Sequence, residues 1–366
     1  MVDETSCQFV SSRGLLKSCD VHAFIPKSSC PTNLDYIRQF IDEQEDASAG
    51  ITRQLPVSMY VCCDAFQTFL EEYASRIRVP FIIVCGDGDK TMFRETIQPT
   101  KQNRFFLFLL QPLLRGFFSQ NMDIQDCRAV LEEKIAKLWK AGAAVFKHPD
   151  APQTLDDAVR VTLSKLKQIP IGLDYHTIHN NPQHRWISTT KNKPQIVTPV
   201  EQEQALLHIR KNMDPFYHRK IQIYSNVMLC PDRFMDRVSA IRTIPPNLIQ
   251  EQTKFIPRID TWKNMLECAF VLSPFGNGMD CHRTWEALLC GCIPIVRSYV
   301  FRDLFEGLPV LMVDTWEEVT LARLKSVLYE FKLKHQNGEF QYDKLDLAYY
   351  TKQFSHAPAP TPTPAT

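Results

Sequence analysis

Phe270-Val-Leu-Ser-Pro-Phe-Gly-Asn-Gly-Met-Asp-Cys-His-Arg-Thr-Trp-Glu-Ala-Leu-Leu-Cys-Gly-Cys-Ile-Pro-Ile-Val296 divides into strand, loop, helix, stop and strand. Gly276 and Gly278 allow a close backbone approach to a ligand and a positive φ. Asp280 is placed to cap a helix beginning at Cys281. A loop feeding a helix start presents N–H groups and the positive dipole end, which suits a diphosphate. His282 and Glu286 fall at i and i+4 on one face, with Arg283 beside them. Leu288 and Leu289 fit a sheet-facing side, Gly291 ends the helix, and Ile293–Val296 returns as a buried strand. On this reading Arg283 meets phosphates and Glu286 accepts hydrogen bonds from ribose hydroxyls. Plainer alternatives stay open. Arg283 and Glu286 at i, i+3 also suit a surface ion pair worth ~0.2–0.5 kcal/mol, and the glycines a simple turn. The dinucleotide fingerprint G-x-G-x-x-G is incomplete, because position 281 is Cys.

Outward from this stretch, the same alternation repeats. Lys220–Ser225 reads as a strand, Asp232–Arg242 and Asp260–Ala269 as helices, Pro309–Val313 as a strand and Glu317–Lys332 as a helix. Upstream, Val57–Cys63 is an apolar run ending in Asp64, and Phe66–Ile77 is helix-like. Val79–Cys85 runs apolar into Gly86-Asp-Gly-Asp89, the pattern of a buried parallel strand meeting a loop. Residues 127–140 and 154–167 have helical period, and 168–172 is extended. Strands alternating with helices predict βαβ units and mostly parallel sheets. Residues 181–204 include a polar, proline-bearing stretch and read as a linker. The expected division is therefore 1–180, a linker at 181–204, a second domain at 205–350, and a flexible Pro/Thr/Ala tail at 351–366.

Composition bounds the function. The 366 residues are 44% hydrophobic and 23% charged, ordinary for a chain with a real core. Lys+Arg 42 against Asp+Glu 41 leaves a net charge of +1, without the basic excess of a general nucleic-acid binder. The N-terminus shows no basic segment followed by an apolar one, so no secretory signal is expected. The run Phe105–Leu114, broken by Gln111 and Pro112, is shorter than the ~20 residues of a spanning helix; it reads as a buried strand running into a helix start. The 12 cysteines show no C-x-x-C and no paired Cys/His spacing. Most sit among apolar neighbours, so a reducing, cytoplasmic setting is expected and no metal site.

The 270–296 segment resembles the nucleotide-sugar-binding segment of exostosin-like glycosyltransferases, a group with the GT-B fold. The pattern Ser-Pro-x-Gly-Asn-Gly-x-Asp-x-x-Arg-x-x-Glu-Ala-Leu-x-x-Gly-x-x-Pro-Ile-Val is met at Ser273 through Val296. Phe117-Phe-Ser-Gln-Asn121 and Ile169-Pro-Ile-Gly-Leu-Asp-Tyr-His-Thr177 look like the same group. The resemblance implies two Rossmann-like domains with mostly parallel sheets facing across a cleft. It also implies a metal-independent transfer of one sugar from a nucleotide sugar, UDP- or GDP-linked, to a glycan or glycoprotein acceptor. The donor-side residues it implies are Ser273, Gly276, Asn277, Gly278, Asp280, His282, Arg283 and Glu286. It does not specify the sugar, and the oligomeric state is not legible.

If transfer inverts the anomeric centre, one group must remove the acceptor hydroxyl's proton. The candidates are Asp87 and Asp89 after a strand, then Asp174 and His176, with Asp64 a further option. Each Asp also suits a turn that caps its own backbone, and His176 a structural hydrogen bond. Gly-Asp-Gly-Asp lacks the spacing and closing Glu of an EF-hand. Arg237, Arg242 and Arg258 are placed either to reach a phosphate or on solvated helix faces. Two rival functions remain: a nucleotide-sugar epimerase or hydrolase on this fold, and a non-catalytic nucleotide-sugar or glycan-binding module.

Overall fold

The computed structural model describes residues 3–24, 32–46, 55–180, 197–229, 232–254, 256–298 and 302–355. The chain forms two compact units. One comprises Leu15–Ile169 and Tyr350–Thr366, the other Met1–Gly14 and Pro170–Tyr349. The α/β class and the two parallel sheets expected from the sequence are both present.

In the 15–169 unit, β1 (Val57–Cys62), β2 (Phe81–Gly86), β3 (Leu114–Ser119) and β4 (Leu166–Gln168) lie side by side in chain order, all parallel. β1 and β2 are buried at every residue, as strands covered on both faces must be. The core beside them is aromatic. Phe66, Phe105, Phe108 and Phe117 pack with ring centroids within 6.5 Å of one another. The run Phe105–Leu114 departs from its expected order: the helix comes first, Gln102–Leu110, and the strand begins at Leu114. A short apolar run carries no decisive period, and Pro112, which cannot continue a helix, marks the change.

Lys165 closes that helix. Its buried Nζ donates to the carbonyls of Leu109 at 2.6 Å and Gln111 at 2.9 Å. Burial, with Arg115 adding, pushes the amine down to about 7 from 10.5. Between pH 7 and 10.5 the unfolded chain thus holds a proton that the folded one has released, so stability rises with pH across that window. Lys165→Met will flatten the rise. Denaturant titrations of parent and variant from pH 7 to 9 check this, and equal slopes would dismiss the assignment.

The 170–349 unit is built on β5 (Lys220–Ser225), β6 (Ile249–Glu251), β7 (Cys268–Leu272), β8 (Ile293–Arg297) and β9 (Leu311–Val313). Their order is β6-β5-β7-β8-β9, again all parallel. β7 is buried throughout, and Leu324, Val327, Leu328 and Phe331 of the helix Leu321–Gln336 pack into the same core at helical spacing. The order reverses between β5 and β7, so a crevice is expected at their carboxyl ends. The other sheet keeps chain order and has no such reversal among the described residues.

The division of the chain differs from the expected one. The units part between Ile169 and Pro170, and residues 1–14 join the later unit. That joining has a main-chain basis: Leu173 donates to Val10 O, and Phe9 bridges to Asp346. Of the expected linker, 181–196 lies outside the described residues. The rest enters a helix, Pro199–Arg210, started by a Thr198–Glu201 capping box. The expected tail begins late, since Leu347–Ser355 is helical and Phe354 packs on Phe118 at 5.1 Å; 356–366 lies outside the described residues. Among the described residues no helix is long and apolar enough to cross a membrane.

Candidate functional site

A cavity of about 570 Å³ opens in the 170–349 unit at the carboxyl ends of β5 and β6. Asn226–Leu229 follow β5, Glu251–Lys254 end and follow β6, and Arg283 and Glu286 reach it from the helix His282–Leu289. Arg237 and Arg258 complete a wall in which three arginines and Lys254 face two glutamates. Met228 and Leu229, both exposed, form an apolar lip. Charge on one side and apolar surface on the other suit a ligand with an anionic and an apolar part.

The helix His282–Leu289 is positioned by its own sequence and by the loop before it. Trp285 is fully buried, and Glu286–Leu289 are buried with it. Gly291, with φ 64, ends the helix in the left-handed conformation a helix stop uses. The start departs from expectation. Cys281 holds the N-cap position, with no side-chain cap bond. The buried Asp280 instead accepts from Ile171 N–H at 2.7 Å and Trp285 Nε1–H at 2.9 Å. Burial raises its carboxyl to about 6.

Most expected donor-side residues build the loop and do not line the cavity. The Ser273 hydroxyl pairs with Thr284 at 2.8 Å. Gly276 N–H donates to Gly278 O, and Asn277 O accepts from Arg233. Neither Gly276 nor Gly278 has a positive φ. Gly276 serves close approach, because a Cβ there would lie 3.0 Å from Arg237 Nη2. His282 Nδ1 donates to the Gly172 carbonyl at 2.7 Å, a bond that fixes the proton on Nδ1. Gly172 itself, at φ 65, packs so that a Cβ would sit 2.3 Å from Val10 O.

Arg283 and Glu286 are the two expected residues on the cavity wall. Arg283 Nε donates to Asn226 Oδ1 at 2.8 Å. Burial, with Arg237 nearby, holds its guanidinium below its ordinary value; an anion placed between the two arginines would relieve that repulsion. Arg237 is carried by the helix Asp236–Thr243, whose start is held by Asp232 accepting from three main-chain N–H groups. Arg242 is exposed and is not on the wall.

The base candidates separate. Asp174 and His176 belong to the 170–349 unit, not to the domain first assigned to them. Asp174 Oδ2 lies 3.3 Å from Arg258 Nη2. Burial alone would raise its carboxyl, but His282, Arg258 and His176 together hold it well below the usual carboxylate range. A carboxylate so weakly basic is poorly suited to removing a hydroxyl proton. His176 Nδ1 is 3.1 Å from Asp174 Oδ1, close enough for an ion contact but not aligned as a hydrogen bond. Burial pushes that imidazole down to about 4 against the pull of Asp174.

Asp87 and Asp89 belong to the other unit. Asp87 has φ 56 and donates its N–H to Gln120, Asn121 donates to Gly88 O, and Asp89 is exposed. The stretch Phe117–Asn121 thus supplies β3 and then holds the loop after β2. Asp64 is exposed in the short turn Cys63–Ala65. Asn226 is a wall residue that the sequence analysis does not single out, although it carries a signal as the residue directly after a predicted strand. All ten described cysteines are thiols, and no group of three or more His, Cys, Asp or Glu able to hold a metal occurs among the described residues.

No family model matches the chain, and no curated protein matches it. Among solved structures it is similar to the N-terminal domain of Candida albicans trehalose-6-phosphate phosphatase, at 12% identity and TM-score 0.31, covering 79% of this chain and 74% of that one. It is also similar to an α-glucosyltransferase in complex with UDP and a 13-mer DNA, at 11% identity and TM-score 0.22, covering 81% and 80%. At those scores neither likeness bears on function.

Proposed function

We propose that this protein is a glycosyltransferase that moves a sugar from a UDP- or GDP-linked donor to a glycan or glycoprotein acceptor. The observation that carries the reading is the cavity wall: Arg283 and Glu286, one turn apart on a helix that follows a glycine loop, face the same space as Arg237 and Arg258. In this reading the Arg237 and Arg283 guanidinium groups offset the diphosphate's charge and stabilise it as a leaving group. Glu286 accepts the ribose hydroxyls, and the lip of Met228 and Leu229 covers the base. The resemblance of 270–296 to exostosin-like enzymes supports the same assignment. A second reading, nucleotide binding without transfer, is favoured by the ion pair that commits Asp174 to Arg258.

Thermal shift and calorimetry with UDP, GDP, ADP, CMP and their common sugars test the proposal. One nucleotide is expected to bind the parent, and Glu286→Ala to weaken it by ~1–3 kcal/mol, the worth of one or two hydrogen bonds. Equal binding by the variant would sink the ribose assignment. Donor turnover in the presence of glycan acceptors separates the transferase from the binding module.

A further inference from the structure

The three arginines of the cavity wall are held differently. Arg283 is bonded to a neutral amide and Arg237 packs on the glycine loop. Arg258 lies between two carboxylates: Nη2 is 3.3 Å from Asp174 Oδ2, and Nε is 3.6 Å from Glu286 Oε1. Its Nη1 also donates to the main-chain oxygen of Asp174 and to Gln202 Oε1. The three side chains are 17%, 13% and 11% exposed, so these charges meet largely out of water. Arg258 is also the first residue of the helix Arg258–Met265, where the dipole disfavours a cation. Its carboxylate partners offset that cost.

Two consequences follow from this arrangement. A guanidinium already matched by Asp174 has little charge left for a phosphate. Glu286, at 3.6 Å, is inside ion-pair range but beyond hydrogen-bond range, so its oxygens keep acceptor capacity for a ligand while their position is set.

The geometry points to Arg258 as a positioning residue for the nucleoside half of the ligand, with Asp174 as the counter-ion that keeps it from the phosphates. This assignment rests on the nucleotide-binding reading above. Arg258 fixes the Glu286 carboxylate that accepts the ribose hydroxyls, and the diphosphate falls to Arg237 and Arg283. The pair is thus a specificity device: it selects a nucleoside diphosphate over a bare diphosphate.

Calorimetry on the full chain with UDP, GDP and inorganic pyrophosphate tests it, using the parent, Arg258→Lys and Asp174→Asn. Arg258→Lys keeps the charge but loses the fork that spans two carboxylates. It should weaken the nucleoside diphosphate that the parent binds by about tenfold and leave pyrophosphate within about twofold. Asp174→Asn releases Arg258, so pyrophosphate should bind about fivefold or more tightly, a gain that a merely structural role would not produce. Equal weakening of both ligands by Arg258→Lys, or no change in either, overturns the assignment. So does unchanged pyrophosphate affinity in a folded Asp174→Asn. Should Asp174→Asn fail to fold, the split between nucleotide and pyrophosphate in Arg258→Lys decides alone. A parent that binds none of the three ligands overturns the nucleotide reading itself, whereas binding without the split removes only the role of Arg258.

Discussion

Asp236→Ala is expected to destabilise the 170–349 unit by roughly 3–5 kcal/mol. The buried Asp236 carboxylate accepts from Phe275 N–H at 2.9 Å and Trp316 Nε1–H at 2.8 Å, and lies 3.4 Å from Arg297. Alanine leaves two buried donors unpaired, each costing ~1–3 kcal/mol, and an arginine without its ion partner. Asp236→Asn keeps one acceptor oxygen and should lose about half as much. Because Phe275 sits in the loop before the helix His282–Leu289, the same change should loosen the loop against which Arg237 packs. Denaturant unfolding followed by tryptophan fluorescence and far-ultraviolet circular dichroism reads the stability. A loss under about 1 kcal/mol would show that water replaces the carboxylate.

Arg283→Met should weaken binding of a nucleoside diphosphate by about 10- to 150-fold. The thioether side chain keeps the length and packing of the arginine stem. What disappears is a charge-assisted contact to phosphate, worth ~1.5–3 kcal/mol. The fold should tolerate the change, since the bond given up in the unliganded protein is to Asn226 Oδ1 at the edge of the cavity. Calorimetry with UDP, GDP and pyrophosphate gives the comparison. The loss should be as large for pyrophosphate as for the nucleotide, the opposite of the pattern expected at Arg258. A change below about threefold would place the phosphates elsewhere.

Much of the fold was legible from short-range pattern. Lys220–Ser225 is legible as a strand, because isoleucine and tyrosine alternating with polar residues is a local property of the chain. The helix at 282–289 was legible for the same reason: its apolar face repeats every three to four residues and a glycine stops it. Asp280 suits a cap by residue type and position, yet Cys281 holds the N-cap position. The actual partners of Asp280, Ile171 N–H and the Trp285 indole, answer to burial, which no local window encodes. β6 escaped notice because a strand of three half-exposed or exposed residues carries no hydrophobic signature.

The sequence by itself determined the α/β class, the succession of strands and helices, and the helix that presents Arg283 and Glu286 together. These rest on periodicity and on glycine and proline punctuation, which act over a few residues. Only the tertiary structure decided which charges meet. Asp174 and Arg258 are 84 residues apart in the chain, and Asp236 and Trp316 are 80 apart. It also placed residues 1–14 with the later unit and made Arg237 and Arg258 part of one wall with Arg283. Ion pairs and cavity walls form where distant segments are brought out of water together. Their energies depend on burial and on a few ångströms of separation, quantities fixed by chain closure and not by residue spacing.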